Sequence, residues 1–285
     1  MSDTAQSPVW LEVALNGAAG KAFQPGIPIT ESEIIEQGVE CARLGAAIIH
    51  VHAYDEAGQP SEDADIYSRI IEGIKQQVDV VVYPTLALGG SLEARFAPIQ
   101  TLSERGLLEA SVIDPGSVNL THVGQLSAGQ EGFVYANPEA DIRHGLALAQ
   151  QYGWRPAYAI YEPGFARLGA ALAAQYEDCL QPIYRVMFSD GLLFGLPPSE
   201  SAVAVYARLF DQLAPKAPWM ISGLDADIAH LFEPALALGA QIRVGLEDAP
   251  FGSPKSNVQW VQEAVEIIAR QSRPLASAQA VRDFP

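Results

Sequence analysis

The chain has 285 residues, of which 49% are hydrophobic and 18% are charged, a balance typical of one large globular α/β domain. Its formal net charge of −17 argues against nucleic acid or an anionic membrane as a partner, because both bind extended basic surfaces. Every long apolar run is interrupted by Gly or Pro well before the roughly 18 residues that a membrane span needs, and the polar N-terminus lacks a signal-peptide pattern, so we expect a cytoplasmic protein with residues 1–8 as a flexible tail.

Strand-like and helix-like segments alternate along the chain. The predicted strands are 9–16, 46–55, 78–84, 109–119, 157–161, 184–188, 219–222 and 241–245. The predicted helices are 33–45, 65–78, 92–105, 140–152, 165–178, one beginning at Ser199, 225–238 and 256–270. Thr30 and Glu33 have the spacing of a capping box before the first helix. Residues 120–138 are too polar for an assignment.

The alternation of strands and helices favours a parallel sheet, and eight such units predict its closure into a (β/α)8 TIM barrel in a single domain. An open doubly wound sheet is the alternative. Residues 16–20, after the first strand, read Asn-Gly-Ala-Ala-Gly, which is not the GxGxxG fingerprint of dinucleotide-binding sheets, and no GxxxxGK[ST] motif occurs. The sequence therefore gives no support to the phosphate-loop classes.

Two histidines, His50 and His52, lie toward the carboxyl end of the second predicted strand. Alternate residues of a strand face the same side, so both imidazoles lie on one face, with Cα atoms about 7 Å apart. That separation allows both to bind one metal ion. The alternative is that they are two satisfied polar residues at a sheet edge. Three further histidines, His122, His144 and His230, have no partner at ligand spacing, and we expect surface or packing roles for them.

In a barrel, the residues at the carboxyl ends of the strands converge on one mouth. They are Asn16, His50, His52, Thr85, Ser117, Asn119, Glu162, Ser222, Arg243, Glu247 and Asp248. Two histidines and one carboxylate leave a coordination position open for a substrate. Glu247 is the best third ligand by position and Glu162 is its competitor, although Glu247 and Asp248 could instead cap the following segment. Arg243, inside a strand, needs a buried carboxylate or an anionic substrate as a partner.

These residues carry a resemblance to a known family. His50-Val51-His52 with the following Asp55, Gly58, Pro60 and Ser61, and the run Arg243-Val244-Gly245-Leu246-Glu247-Asp248, resemble the β-keto acid cleavage enzymes, which include the 3-keto-5-aminohexanoate cleavage enzyme. The similarity extends from Val13 to about Arg282 and includes residues 115–119, Pro-Gly-Ser-Val-Asn. It implies a TIM barrel that converts a β-keto acid and acetyl-CoA into acetoacetate and a new acyl-CoA.

The resemblance also implies the roles of individual residues. Zn2+, or another divalent metal, would be held by His50, His52 and Glu247. Asp248 would be the general base, and Arg243 would stabilise negative charge on the substrate. The residues that we assign to substrate binding are Thr85, Ser117, Asn119, Asn16 and Tyr54. The implied partners are a β-keto acid and a CoA thioester, and the family likeness predicts a homo-oligomer.

This sequence departs from the aminohexanoate enzyme at one informative place. That enzyme has a glutamate after the Gly-Ala of the first strand, where it faces the substrate ammonium, whereas this chain has Ala19. Many relatives also have Arg after the second histidine, where this chain has Ala53. We therefore expect a neutral or less polar acyl group. The alternative functions are a metal-dependent aldolase or hydrolase on the same barrel, and a catalytically inactive metabolite-binding homologue.

Overall fold

A computed structural model describes residues 7–285; residues 1–6, the larger part of the predicted flexible tail, lie outside this range. The strands are β1 (Leu11–Ala14), β2 (Ile48–Val51), β3 (Ala53–Tyr54), β4 (Pro60–Ser61), β5 (Val81–Pro84), β6 (Ala110–Val112), β7 (Val118–Leu120), β8 (Phe133–Tyr135), β9 (Arg155–Ile160), β10 (Ile183–Phe188), β11 (Trp219–Gly223) and β12 (Gln241–Val244). The helices are α1 (Glu31–Arg43), α2 (Ala64–Lys75), α3 (Leu92–Glu104), α4 (Val123–Ser127), α5 (Glu139–Tyr152), α6 (Pro163–Ala173), α7 (Glu200–Leu213), α8 (Phe232–Ala237), α9 (Asn257–Arg270) and α10 (Ala278–Arg282).

Eight of these strands form one parallel sheet in the order β5-β2-β1-β12-β11-β10-β9-β6. The first and last strands of the chain, β1 and β12, pair directly, as closure requires. The remaining seam lies between β5 and β6, which contact each other. The strand residues are buried on both faces, because side chains fill the interior and the helices cover the outside. The predicted (β/α)8 barrel is confirmed, and the open sheet is not formed.

The start of α1 shows how local sequence places the elements. Glu33 N–H donates to Thr30 Oγ1 at 3.2 Å, and Thr30 N–H donates to Glu33 Oε2 at 3.0 Å. These two bonds are the predicted capping box, and they satisfy amide groups that have no partner within the helix. The helix therefore begins close to its predicted boundary.

The fourth predicted strand, 109–119, is shorter in the structure. β6 stops at Val112, and a tight turn follows in which Gly116 N–H donates to Asp114 O at 2.9 Å. The chain then enters an antiparallel hairpin of β7 and β8 with α4 between them. This hairpin accounts for most of the unassigned polar segment, and Val123 N–H anchors it by donating to Gly191 O at 2.9 Å.

The helix predicted over 225–238 also begins later than expected. Asp225 has a φ of 54°, a left-handed conformation that a right-handed helix excludes. A short 3-10 helix over Ala229–Leu231 precedes α8. Residues 224–228 remain a loop at the mouth of the barrel.

Across the described residues, the structure contains no helix with the length and apolar character needed to cross a membrane.

The opposite end of the barrel is closed by the C-terminal segment. Phe284 packs edge-on against Trp10, with ring centroids 5.3 Å apart. The Arg155 guanidinium, which is buried, donates to Phe284 O and to Gln181 O, the latter at 2.7 Å. This end, which we call the base, is therefore sealed by aromatic packing and by hydrogen bonds to backbone carbonyls.

Candidate active site

The two histidines of the second unit meet a glutamate from the last one. His50 lies in β2 and faces the interior of the barrel, and His52 follows the end of that strand; their Nε2 atoms lie 3.2 Å apart. Glu247 comes from the turn after β12, and its carboxylate oxygens lie 3.4 Å from His50 Nε2 and 3.4 Å from His52 Nε2. The structure thus brings together His50, His52 and Glu247. Glu162, the competing candidate, does not contact these three residues. Its Oε1 accepts a hydrogen bond from Gly195 N–H at 2.9 Å.

Two glycines allow Glu247 to approach the histidines. Gly245 has a φ of 132°, and a Cβ at that position would lie 2.1 Å from Ala14 O. Gly17 has a φ of 64°, and a Cβ there would lie 2.7 Å from Glu247 Cγ. Both separations are shorter than van der Waals contact, and both φ values are ones that L side chains rarely adopt. The turn that carries Glu247 therefore depends on the absence of side chains at these two positions.

Asn16 fixes the backbone that carries the second histidine. Its Oδ1 accepts from His52 N–H at 2.9 Å, and its Nδ2 donates to His52 O at 2.9 Å and to Pro28 O at 3.0 Å. Tyr54 is buried and its hydroxyl donates to Gly17 O at 2.6 Å. These bonds join the loops after β1 and β2, so the positions of His52 and Gly17 are mutually constrained.

The spacing and chemistry of the three side chains suit a divalent cation. The Nε2 atoms of His50 and His52, 3.2 Å apart, match the edge, about 3.3 Å, of a tetrahedron whose ligands lie about 2.0–2.1 Å from its centre. One ligand atom from each of His50, His52 and Glu247 lies within 4.8 Å of the other two. Burial lowers the pKa of His50 to about 4, which leaves the imidazole neutral at pH 7, the form that binds metals. Within residues 7–285, buried Glu247 Oε2 accepts no hydrogen bond, and a cation would satisfy it.

Arg243 organises the carboxylates beside this cluster. Its Nε and Nη2 donate to the two oxygens of Asp248 at 2.9 and 2.8 Å, and its Nη1 donates to Glu12 Oε1 at 2.8 Å. Ser222 Oγ also donates to Asp248 Oδ2, at 2.7 Å. Burial opposes the charge on Arg243, but Asp248, Glu247 and Glu12 hold its pKa well above the ordinary value. The guanidinium is thus a fixed positive charge.

An added cation would offset an excess of carboxyl groups around the mouth. The carboxyl groups that the described structure places there are Glu12, Asp114, Glu247 and Asp248, and the guanidinium groups are those of Arg185 and Arg243. Fully ionised, these carboxylates outnumber the guanidiniums by two. Unbalanced buried charge is costly, and one divalent ion at the His-His-Glu cluster would remove the excess.

The cluster opens into a cavity of about 740 Å³ at the carboxyl ends of the strands. Most of its lining residues are apolar or aromatic. At its rim, Phe23, Leu88, Phe133 and Phe251 are between 44% and 60% exposed. A site of this size and character suits an organic ligand.

The predicted site residues divide into two groups. Those that line the cavity are Asn16, His50, His52, Thr85, Arg243 and Glu247. Those that lie outside its lining are Tyr54, Ser117, Asn119, Ser222 and Asp248. Ser117 and Asn119 are exposed on the turn and hairpin after β6, where Ser117 Oγ accepts from Asn137 N–H at 2.8 Å. Asp248 is bound by Arg243 and does not line the cavity.

Several cavity residues were not expected from the sequence. His122 lines the cavity, with Nε2 3.7 Å from Asp225 Oδ2, whereas His144 packs on Phe96 and His230 is exposed. Arg185 also lines the cavity, and its Nη1 donates to Tyr83 Oη at 3.0 Å. Arg185 and Glu12 could have been found by the argument that singled out Arg243, because each is a charged residue inside an apolar strand.

Comparisons with known proteins agree with this geometry. A model of the β-keto acid cleavage enzyme family matches residues 8–284. The chain is 25% identical to the 3-oxoadipate:acetyl-CoA acetyltransferase of Cupriavidus necator, over 96% of this chain and 93% of that protein. It is 24% identical to the 3-keto-5-aminohexanoate cleavage enzyme of Fusobacterium nucleatum, over 93% and 92% of the two chains.

A third relative, the 3,5-dioxohexanoate:acetyl-CoA acetone transferase of Paraburkholderia graminis, is 26% identical over 92% of this chain and 90% of its own length. Among solved structures, ObcA in a ternary complex with a C4-CoA adduct and oxalate superposes with a TM-score of 0.71 at 18% identity, covering 91% of this chain and 67% of that one. At that identity the likeness concerns the fold. The resemblance stated from the sequence is confirmed, and the chain belongs to the β-keto acid cleavage enzyme family.

Proposed function

We propose that this protein is a metal-dependent acyltransferase that converts a β-keto acid and acetyl-CoA into acetoacetate and a new acyl-CoA. The single observation that carries the proposal is the convergence of His50, His52 and Glu247, beside Arg243, on the wall of one large cavity. Curated relatives with acetyl-CoA in their names support the choice of co-substrate. Zn2+ is the preferred ion, because two imidazoles and one carboxylate form a common catalytic zinc set.

His50, His52 and Glu247 would hold the ion and keep one side of it open to the cavity. A divalent ion in that place would supply Lewis acidity toward the oxygens of the keto acid, which makes the hydrogens on the carbon between its carbonyl groups more acidic. Asn16 would position His52 through the hydrogen bonds to its backbone. Thr85, which is half-buried on the cavity wall, would donate a hydrogen bond to the acid.

Arg243 would stabilise the negative charge that develops on the substrate. Its guanidinium lines the cavity and is held in place by Asp248 and Glu12. A preorganised charge of this kind, in a site that excludes water, is worth about 3–4 kcal/mol in the transition state. The same charge would attract the anionic keto acid, despite the net charge of −17 on the chain.

Asp248 would accept the proton from the α-carbon. Burial raises the pKa of Asp248 above its ordinary value, against the opposing effect of Arg243, which strengthens it as a base. Because Asp248 does not line the cavity, the α-proton would have to reach it through a bridging water or after a shift of Arg243, so the two groups would act as a unit. Protonation of Asp248 weakens its ion pair with Arg243, and the guanidinium then becomes free to pair with the anion that the proton leaves behind.

After proton removal, the acyl groups would be exchanged in two steps. The α-carbanion attacks the thioester carbon of acetyl-CoA, a carbon–carbon bond forms, and the carbon–sulfur bond breaks to release the CoA thiolate. The thiolate then attacks the original keto carbon. The bond between that carbon and the α-carbon breaks, giving the new acyl-CoA, and the α-carbon takes up a proton to become acetoacetate.

Metal analysis of the purified protein tests the metal site. We expect His50→Ala and His52→Ala each to lower the bound zinc to a small fraction of the wild-type content and to abolish acyl-CoA formation, because two donors cannot replace three. His230→Ala is the matched control, since that histidine is exposed. Unchanged zinc content in both site variants would refute the proposal.

Exchange of the α-proton with deuterated water tests the base. We expect Asp248→Asn to retain the metal and to lose exchange of a bound β-keto acid, since an amide cannot take up the proton. The readout is the NMR signal of the α-hydrogens with no acetyl-CoA present. If exchange continues at the wild-type rate, Asp248 serves only to orient Arg243.

Dependence on acetyl-CoA separates the proposed reaction from the other candidates. Turnover of a β-keto acid without acetyl-CoA would indicate the aldolase or hydrolase, and binding without any product would indicate the inactive homologue. The cytoplasmic location and the homo-oligomeric state stay predictions, which fractionation of the native cells and light scattering of the purified protein would check.

A further inference from the structure

One buried tyrosine packs against a histidine of the candidate metal site. Tyr83 lies on β5 and pairs with His50 in the register of β5 and β2. The two rings pack with their centroids 4.7 Å apart and an angle of 37° between their planes. Neither side chain is more than 2% exposed. The Tyr83 ring therefore limits the orientations that the His50 imidazole can adopt.

The hydroxyl of Tyr83 has two charged partners. It accepts a hydrogen bond from Arg185 Nη1 at 3.0 Å and donates one to Glu12 Oε1 at 2.5 Å. A tyrosine hydroxyl has one hydrogen, whereas a guanidinium can only donate. The hydrogen of Tyr83 is therefore directed at Glu12, and Arg185 fixes that direction.

Glu12 joins Tyr83 to Arg243. The oxygen that accepts from Tyr83, Oε1, also accepts from Arg243 Nη1 at 2.8 Å. Glu12 is fully buried on β1, the strand between β2 and β12, and a buried carboxylate is costly without such donors. On its other side, Arg243 Nη2 lies 3.3 Å from Glu247 Oε1.

These contacts form a closed ring of side chains. The ring runs from His50 through Tyr83, Glu12, Arg243 and Glu247, and it closes where His50 Nε2 lies 3.4 Å from Glu247 Oε2. Two members are proposed metal ligands, and one is the arginine proposed to stabilise charge on the substrate. Tyr83 therefore contacts the metal site through its ring and the charge-stabilising group through its hydroxyl and Glu12.

We propose that Tyr83 is a positioning residue with two separable roles. Its ring orients the His50 imidazole for the metal, and its hydroxyl orients Arg243 through Glu12. This inference rests on the proposed function. The bonds of Arg243 to Asp248 use only the Nε and Nη2 edge of the guanidinium, which can still tilt about that carboxylate. The bond from Nη1 to Glu12 opposes the tilt, and small displacements of a preorganised group are costly in catalysis.

Two substitutions separate the roles. Tyr83→Phe keeps the ring beside His50 and removes the hydroxyl, so we expect kcat to fall by about tenfold and zinc affinity to stay within about twofold of the wild type. Tyr83→Leu removes the ring as well, and we expect zinc affinity also to fall by about tenfold. Competition with a chromophoric chelator measures the affinity. The absorption spectrum of the Co2+-loaded protein, which depends on ligand geometry, should change only in Tyr83→Leu.

A double-mutant cycle tests whether the hydroxyl acts through Arg243. A lysine at position 243 lacks the Nη1 group that binds Glu12, so Tyr83→Phe should cause no further loss of kcat in the Arg243→Lys protein. An equal loss in both backgrounds would overturn the role of the hydroxyl, because a general packing defect acts independently of Arg243.

Tyr158→Phe is the matched control. Tyr158 is a buried tyrosine on the barrel strand β9, its hydroxyl donates to Gly169 O at 3.4 Å, and it does not line the cavity. We expect this variant to keep the wild-type kcat and zinc affinity. A tenfold loss of kcat here would show that removal of any buried hydroxyl slows the protein, and it would overturn the specific role of Tyr83.

The zinc measurements do not depend on the reaction. Wild-type zinc affinity in Tyr83→Leu, or equal weakening in both Tyr83 variants, would overturn the separate role of the ring. If the zinc-loaded wild-type protein forms no acyl-CoA from β-keto acids and acetyl-CoA, the proposed function is wrong and the role of the hydroxyl falls with it. If acyl-CoA forms and Tyr83→Phe keeps the wild-type kcat, the function stands and the role of the hydroxyl is wrong.

Discussion

The two ends of the barrel each bury an arginine, but they satisfy it in different ways. At the mouth, Arg243 is bound by the carboxylates of Asp248 and Glu12. At the base, the bonds of Arg155 go to backbone carbonyls, including those of Gln181 and Phe284. Burial lowers the pKa of Arg155 to about 10, whereas the carboxylates hold the pKa of Arg243 well above its ordinary value.

This difference separates a structural charge from one that is available for chemistry. Arg155 joins chain segments through its bonds to backbone carbonyls, and it does not line the cavity at the mouth. Arg243 sits among groups whose charge can change when a proton moves, and it lines the cavity. We therefore expect substitution of Arg155 to lower the free energy of unfolding, and substitution of Arg243 to lower the catalytic rate.

Of the two arginine variants, Arg243→Lys should have the larger effect. A lysine keeps the positive charge but cannot make the two parallel bonds to Asp248 together with the bond to Glu12. We expect kcat to fall by about 100- to 1000-fold, as when a preorganised donor is removed from an oxyanion site. Steady-state kinetics at saturating acetyl-CoA would measure this loss, and metal content should stay at the wild-type level.

The matched change at the base is Arg155→Lys. Here we expect kcat to stay within about twofold of the wild type, because no cavity group is altered. The free energy of unfolding should fall by about 1–2 kcal/mol, because hydrogen bonds to buried carbonyls are lost. Thermal unfolding of the metal-loaded protein would measure the loss. A large drop in kcat for this variant, at a temperature where it is fully folded, would remove the distinction between the two arginines.

The sequence predicted the barrel and the His-His-Glu cluster because both depend on regular geometry. Strand periodicity places His50 and His52 on one face, and the carboxyl-end rule for parallel strands brings Glu247 toward them. The resemblance added the assignment of roles. None of these steps requires knowledge of side-chain packing, which explains why short motifs were sufficient.

The features of the site that the sequence did not predict depend on tertiary contacts, which no local sequence pattern encodes. The hairpin of β7 and β8 covers a polar segment whose sequence has no strand periodicity, and it moves Ser117 and Asn119 away from the cavity. Asp248 follows Glu247 directly in the sequence, but both of its carboxylate oxygens accept hydrogen bonds from the Arg243 guanidinium, and its side chain does not line the cavity. Arg185 on β10 and Asp114 in the turn after β6 approach within 4.0 Å, and this contact depends on how the barrel closes.

The smallest and most selective change at the mouth is Gly17→Ala, which removes no charged group. A Cβ at Gly17 would lie 2.7 Å from Glu247 Cγ, whereas a Cβ at Gly20 would have no atom within 4 Å. Both glycines have a positive φ, 64° and 77°, so Gly20→Ala carries the same kind of backbone strain and serves as the control.

We expect Gly17→Ala to weaken zinc binding by about tenfold, since displacement of one ligand by a few tenths of an ångström affects the cluster as loss of a supporting contact does. Gly20→Ala should lose a similar amount of stability and keep the wild-type zinc affinity. Competition with a chromophoric chelator measures both affinities. Equal weakening in the two variants would mean that loop strain, rather than the position of Glu247, controls the metal site. A difference between the two variants would show that zinc binding at the mouth depends on the space that Gly17 leaves for the Glu247 side chain. The base, where backbone carbonyls bind Arg155, has no such requirement.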